Sequence, residues 1–232
     1  MKLGIMQPYF FPYIGYWQLI NLVDKYVIYD DVNYIKGGWI NRNKILINGE
    51  ATFLNLYLSL ASPNKKINEI EIDSGIRNQK NLKRIAMAYK KAPYYEETYP
   101  LLEELLTSKE TNLAKLNGKI IKEISSYLSM NTEFVYSSEI EKNGHLKGQE
   151  RLLDICKRLG ASDYYNAIGG KALYDQESFR SEGIRLHFLK TKEIRYKQFD
   201  SDFVPNLSII DLLMFNGREG TKELLKCYTL EE

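Results

Sequence analysis

The chain has 232 residues, enough for a full-sized core, and its 32 basic and 30 acidic residues leave a formal charge of +2. No basic block of the kind that grips nucleic acid is present, since Lys65-Lys66 and Lys90-Lys91 are isolated pairs. No run of about 18 apolar residues offers a membrane span, and Gln7, Pro8 and Pro12 interrupt the apolar start where a signal peptide would need continuity.

The first element is a short strand near Leu3–Met6. It feeds a loop packed with aromatics and prolines, then a helix near Tyr13–Asp24, for which Pro12 presets the backbone. Tyr26–Tyr29 is the second strand, ending in Asp30-Asp31. The three elements make a β-α-β unit, for which a right-handed parallel crossover is expected. Asn48-Gly49 is a strong hairpin turn between Ile45–Ile47 and Thr52–Leu58. Ile70–Ile72 reads as a further strand. Over residues 76–130 the pattern is helical, in three segments: Asn78–Lys91, Tyr95–Leu106 and Asn112–Ser129. This is a helical insert or cap within one domain over residues 1–232.

The α/β alternation then resumes. Phe134–Tyr136 is a strand, Gln149–Leu159 a helix ended by Gly160, and Tyr164–Asn166 a strand. Glu177–Glu182 is a short helix closed by Gly183, and Ile184–Leu189 a strand. Ser208 caps a helix through Phe215, which ends at Asn216-Gly217, and a last short helix covers Thr221–Cys227. The sum is an α/β fold: a doubly wound, Rossmann-like parallel sheet with a helical insert and a β-hairpin. Cys156 and Cys227 form no disulfide framework, which fits a reducing, cytoplasmic setting.

Ligands of such sheets sit at the carboxyl ends of the strands, which groups Gln7, Asp30, Asp31 and Asn166. A strand feeding a helix N-terminus also aims free N–H groups at one spot. Gln7, Tyr9, Tyr13 and Tyr16 would surround that spot with polar tips, suiting an anionic or polyhydroxylated ligand; aromatic core packing is the alternative. Asp30 or Asp31 could bind a ribose, a sugar hydroxyl or Mg²⁺, or both could be turn residues. Lys36, Asn41, Arg42 and Asn43 form a second polar cluster, with Arg42 able to clamp a phosphate or carboxylate. Gly37-Gly38 would let that loop approach a ligand closely, unless the segment is simply a polar loop before the hairpin. Gly169 and Gly170, after the Asn166 strand, could expose N–H groups to phosphate, though the spacing is not that of a P-loop. His145 follows a strand and could be a base or a phosphate ligand, or lie on an ordinary exposed loop. No His/Cys cluster has zinc spacing, so no metal site is assigned. A dinucleotide glycine fingerprint and a serine-hydrolase elbow are also missing.

The stretches Ile5–Tyr16, Asp30-Asp31-Val32 and Trp39–Ile45 resemble the WbqC-like protein family, and Tyr196–Phe199 and Asn206–Leu213 match in style. Such proteins are associated with gene clusters for bacterial surface polysaccharides, including O-antigen. The resemblance implies a transferase that moves glycine or a similar acyl group onto the amine of a nucleotide-linked amino sugar. The nucleotide diphosphate would lie over Tyr9–Tyr16, with Arg42 and Lys36 on phosphate. Asp30, Asp31 or His145 would be the base, and Gln7 or Asn43 the oxyanion donor. The acyl donor, a role for ATP with Mg²⁺ and a homodimer stay open. Tyr13-Ile14-Gly15-Tyr16 also falls where nucleotidylyltransferases carry His-x-Gly-His, which leaves a nucleotidylyltransferase-like enzyme as the alternative. Two neutral tyrosines cannot supply the positive charge of protonated histidines there. A third reading is a non-catalytic nucleotide-sugar-binding subunit.

Overall fold

Strand β1 (Lys2–Met6) alternates its side chains between two hydrophobic layers. Leu3 and Ile5 pack with Val27, Ile155, Tyr164, Phe179 and Leu186 on one side. Met6 joins the larger layer on the other, where Phe10, Phe11, Trp17 and Ile120 lie. Helix α1 (Ile14–Leu22) is buried from Ile14 to Ile20. The buried Gln18 amide in that run has its needs met: Nε2 donates to the carbonyls of Leu224 and Cys227, and Oε1 accepts from Thr191. Strand β2 (Lys25–Ile28) pairs parallel with β1, completing the expected unit.

The chain then leaves the sheet. Strands β3 (Arg42–Ile47) and β4 (Glu50–Asn55) form a hairpin, with Asn48 and Gly49 both at positive φ, as its tight turn demands. Strands β5 (Leu58–Ser59) and β6 (Glu71–Ile72) form a second, two-residue pair. Helices α2 (Ile76–Tyr89), α3 (Tyr95–Leu106) and α4 (Leu113–Tyr127) follow, and α4 buries most of its length against the larger core. Strand β7 (Glu133–Tyr136) returns the chain to the sheet beside β2.

Helix α5 (Gly148–Arg158), strand β8 (Asp163–Ala167), helix α6 (Gln176–Ser181) and strand β9 (Arg185–Thr191) complete the second half. Helix α7 (Ile209–Leu224) and strand β10 (Tyr228–Glu231) close the chain. The sheet order is β10-β9-β8-β1-β2-β7, parallel except for β10. Reading from β7, the five parallel strands run 3-2-1-4-5, the doubly wound order, and the winding reverses between β1 and β8. This is the Rossmann-like architecture the pattern implied. The computed structural model describes residues 1–199 and 202–231.

Near the C-terminus one expectation differs and one holds. The sequence places a helix over Thr221–Cys227, but the helix ends at Leu224 and β10 follows, pairing at the sheet edge. The break expected at Asn216-Gly217 is present: Gly217, with φ 62° and ψ −170°, separates two helical stretches within α7. A side chain there would also meet the Tyr94 ring at 2.5 Å.

Candidate functional site

In doubly wound sheets ligands sit at the carboxyl ends of the strands where the winding reverses, here between β1 and β8. Gln7 and Tyr9 follow β1, and Asn166 lies at the end of β8 with Gly170 shortly after it. Asn166 is buried, donating to Tyr164 Oη at 3.1 Å and accepting from the Ala167 N–H at 2.7 Å. Gly170 lies so close that a Cβ would sit 3.1 Å from Asn166 Nδ2 and 3.2 Å from the Tyr174 ring. Tyr9 lies near the hydroxyls of Tyr13 and Tyr174. Burial, with these two phenols adding to it, pushes the Tyr9 pKa above its ordinary value. Tyr29, at the end of β2, has its pKa pushed up to about 12, mainly by burial, although the facing Arg151 guanidinium opposes the rise. That guanidinium lies 5.3 Å from the Tyr29 ring centroid. At neutral pH these phenols are therefore protonated: they donate hydrogen bonds and cannot serve as bases.

Tyr9 also lines a concave pocket of about 390 Å³, within the size range of small-molecule sites. Tyr13, Trp39, Asn43, Lys44, Pro205 and Asn206 complete its walls. A neighbouring cavity of about 330 Å³ shares Pro205 and Asn206 and extends past Thr191 to Lys192 and Arg195. A larger cavity, about 440 Å³, lies instead in the cap around Asp73–Asn78 and Leu106–Thr111, away from the strand ends.

Tyr13 borders both the opening loop and α1. Its hydroxyl occupies the space that Gly15 leaves: a Cβ there would lie 2.5 Å from Tyr13 Oη and 2.7 Å from Thr191 Oγ1. Gly15→Ala should gain up to ~1 kcal/mol in helix propensity but cost ~1–3 kcal/mol in overlap. The expected net result is a loss of about 1 kcal/mol in urea unfolding, with Tyr13 displaced toward the pocket.

Several sequence-derived candidates are committed elsewhere. Tyr16 is a core strut, not a pocket residue: it is buried and its hydroxyl donates to the Gln7 carbonyl at 2.9 Å. Asp30 braces loops. It accepts from the Ser138 N–H and O–H, at 2.9 and 2.6 Å, and from Asn68 Nδ2 at 3.2 Å. Asn41 accepts from Tyr34 Oη and donates to the Leu56 carbonyl. Arg42 folds back on its own loop, donating to the Gly37 and Gly38 carbonyls while its guanidinium stacks 4.4 Å from the Phe53 centroid. Lys36 and Asn41 line a separate shallow cavity with Tyr34 and Tyr57. His145 and Gly169 are exposed. Asn43 alone of that cluster reaches the Tyr9 pocket, and it is buried there, donating to the Phe10 carbonyl at 3.2 Å.

Asp31 is paired with Lys142 at 2.9 Å and Arg151 at 2.5 Å. Burial alone would raise its pKa, but the bond from Lys142 and the charges of Arg151 and Lys142 outweigh it and hold the carboxyl below 3.8. Its contribution to stability is thus present above the ordinary carboxylate pKa and lost as pH falls through the lower folded value. Asp31→Asn should destabilise at pH 7, and its difference from wild type should shrink as denaturation is followed below about pH 4.

Two residues that shape the site lay outside the sequence reading. Asn117 on α4 donates to the carbonyls of Pro8 at 2.9 Å and Ile40 at 2.7 Å, tying the Tyr9 loop to the Trp39 loop. Asp211 on α7 gathers Tyr89, Tyr196 and Gln198. Gln198 in turn bonds both backbone groups of Val204, just before the pocket residues Pro205 and Asn206. Asp211 falls in the Asn206–Leu213 stretch already singled out, but nothing local indicates its partners.

The family model of the WbqC-like protein family matches residues 7–223. A protein of Mycobacterium tuberculosis (strain ATCC 25618 / H37Rv), "Uncharacterized protein Rv1507c", is 30% identical over 230 residues, covering 97% of this chain and 98% of that protein. No solved structure matches.

Proposed function

The chain belongs to the WbqC-like protein family, and on that premise we propose that it is a transferase that binds a nucleotide-linked amino sugar along the Tyr9 cleft. It would modify the sugar's amino group by acyl or aminoacyl transfer during surface-polysaccharide assembly. One observation carries the binding half: Tyr9, just after β1 and close to Tyr174, lines a pocket of about 390 Å³ walled by aromatic rings and amides. The amino sugar and the acyl group rest on the family resemblance.

In the transfer, the neutral amine attacks the acyl carbon, a C–N bond forms and the carbonyl oxygen becomes an oxyanion. The amine proton passes to a base, and the carrier of the acyl group leaves. Tyr9 and Tyr174, as protonated phenols, and the Gln7 amide are the donors for that oxyanion. Asp30 and Asp31 are held in bonds to Ser138, Asn68, Lys142 and Arg151, and His145 is exposed on its loop, so the proton is assigned to no side chain of this cleft.

Incubation with UDP-, dTDP- and GDP-linked amino sugars, plus acyl-CoA or glycine with ATP and Mg²⁺, followed by mass spectrometry, tests this. A sugar nucleotide heavier by the acyl group is expected, with Gln7→Ala and Tyr9→Phe each slowing its formation about 10–100-fold. Binding without turnover would replace the reading with a non-catalytic subunit. Pyrophosphate release from a nucleoside triphosphate would replace it with a nucleotidylyltransferase.

A further inference from the structure

The two tryptophans differ sharply. Trp17 is 0% exposed and donates to the Pro12 carbonyl, whereas Trp39 is 43% exposed and forms part of the Tyr9 pocket. Trp39 is nonetheless held in place. Its carbonyl accepts from the Phe10 N–H at 3.0 Å, and the next carbonyl, of Ile40, accepts from Asn117. Phe53 backs the indole at 6.3 Å between centroids, and Arg42 in turn covers Phe53. This is a braced aromatic surface left half open. Beside it, Lys44 Nζ lies 5.4 Å from the Phe53 centroid, with no ion-pair partner among the described residues. Asn43 and Asn206 add amides to the same walls.

An open indole face takes the C–H face of a pyranose, amides read its hydroxyls, and an unpaired ammonium takes a phosphoryl oxygen. The geometry points to a sugar-phosphate subsite: the pyranose of the substrate stacks on Trp39, and Lys44 holds the phosphoryl group that links it to the nucleotide. Arg42 does not line this pocket; its guanidinium turns back to the Gly37 and Gly38 carbonyls. This assignment rests on the function proposed above for the nucleotide half of the ligand.

Tryptophan fluorescence reads the contact directly. The probes are UDP-, dTDP- and GDP-linked amino sugars, the matching nucleoside diphosphates, and hexosamine 1-phosphate. Saturation with a sugar nucleotide should change the emission of wild type and shield it from acrylamide, while Trp39→Phe, which keeps only buried Trp17, stays silent. By calorimetry, Trp39→Ala should weaken the sugar nucleotide roughly tenfold and leave the diphosphate unchanged. Lys44→Gln should weaken both by tenfold or more and flatten their salt dependence. Sugar-nucleotide binding that leaves the emission and the Trp39→Ala affinity unchanged overturns the subsite and spares the proposed function. A Trp39 response to the sugar phosphate, with no nucleotide-linked ligand bound, keeps the subsite and removes the proposed function. Silence to every probe removes both.

Discussion

Asp211→Ala should destabilise the protein by about 3–5 kcal/mol at pH 7, on the order of 10 °C in Tm for a chain of this size. Asp211 is fully buried. Its carboxyl accepts from Tyr89 Oη at 2.8 Å, Tyr196 Oη at 2.6 Å and Gln198 Nε2 at 2.9 Å. Alanine would strand three donors in the interior, at ~1–3 kcal/mol each before relaxation. Asp211→Asn keeps one acceptor but turns an amide N–H₂ toward donors, and should cost about 1–2 kcal/mol. Burial, only partly offset by the three hydrogen bonds, raises the Asp211 pKa above 3.8. The group's contribution to stability is therefore greatest below the ordinary carboxylate pKa and declines as pH rises through the raised folded value. The network also holds Tyr196 and Gln198 and, through Gln198, Val204, just before Pro205 and Asn206, so the same variant should lose ligand affinity. Urea unfolding within 1 kcal/mol of wild type, about the scale of one ordinary hydrogen bond, would contradict this account.

Asn117→Asp should cost about as much, roughly 3–5 kcal/mol, although it alters only one amide nitrogen. Asn117 is fully buried, and its Nδ2 supplies both the Pro8 and Ile40 carbonyls. A carboxylate there faces two acceptors and carries an uncompensated charge. Asn117→Ala, which only leaves the carbonyls unbonded, should cost about 2–3 kcal/mol. The ordering Asp worse than Ala, measured by urea unfolding, is the signature of this geometry; simple loss of side-chain volume would order them the other way. Because Pro8 and Ile40 adjoin Tyr9 and Trp39, the Ala variant should also weaken binding at the pocket.

The first half of the fold was legible because its signals are local. Strand, Pro12 and buried helix follow in order, and Asn48-Gly49 supplies the two positive φ angles of a hairpin. Gly160 and Gly183, both at positive φ, mark where α5 and α6 end. Strand β10 was not legible, since Tyr228–Glu231 is a four-residue edge strand without a buried face. The break at Gly217 was legible, since its φ of 62° suits glycine and a side chain there would meet the Tyr94 ring.

The rule for doubly wound sheets groups Gln7, Asp30, Asp31 and Asn166, and the structure does set Gln7 just after β1, Asp30 and Asp31 after β2 and Asn166 in β8. What side chains do with their neighbours was not legible. Asp30 is bonded by Ser138, 108 residues away, and Arg151 reaches the carbonyl of Asp31 across 120 residues. The Arg42 loop reads as a phosphate clamp, but the guanidinium turns toward its own glycine carbonyls, and Lys44 is the cation that lines the Tyr9 pocket.

The most direct test of the central claim is thermal unfolding of the purified protein against UDP-, dTDP- and GDP-linked amino sugars, ATP with Mg²⁺, and acyl-CoA. A ligand present at a hundred times its dissociation constant stabilises by about 2.7 kcal/mol. The account predicts that shift with a nucleotide-linked amino sugar, and its reduction in Trp39→Ala. Stabilisation by ATP and Mg²⁺ alone, with every sugar nucleotide inert, would contradict it.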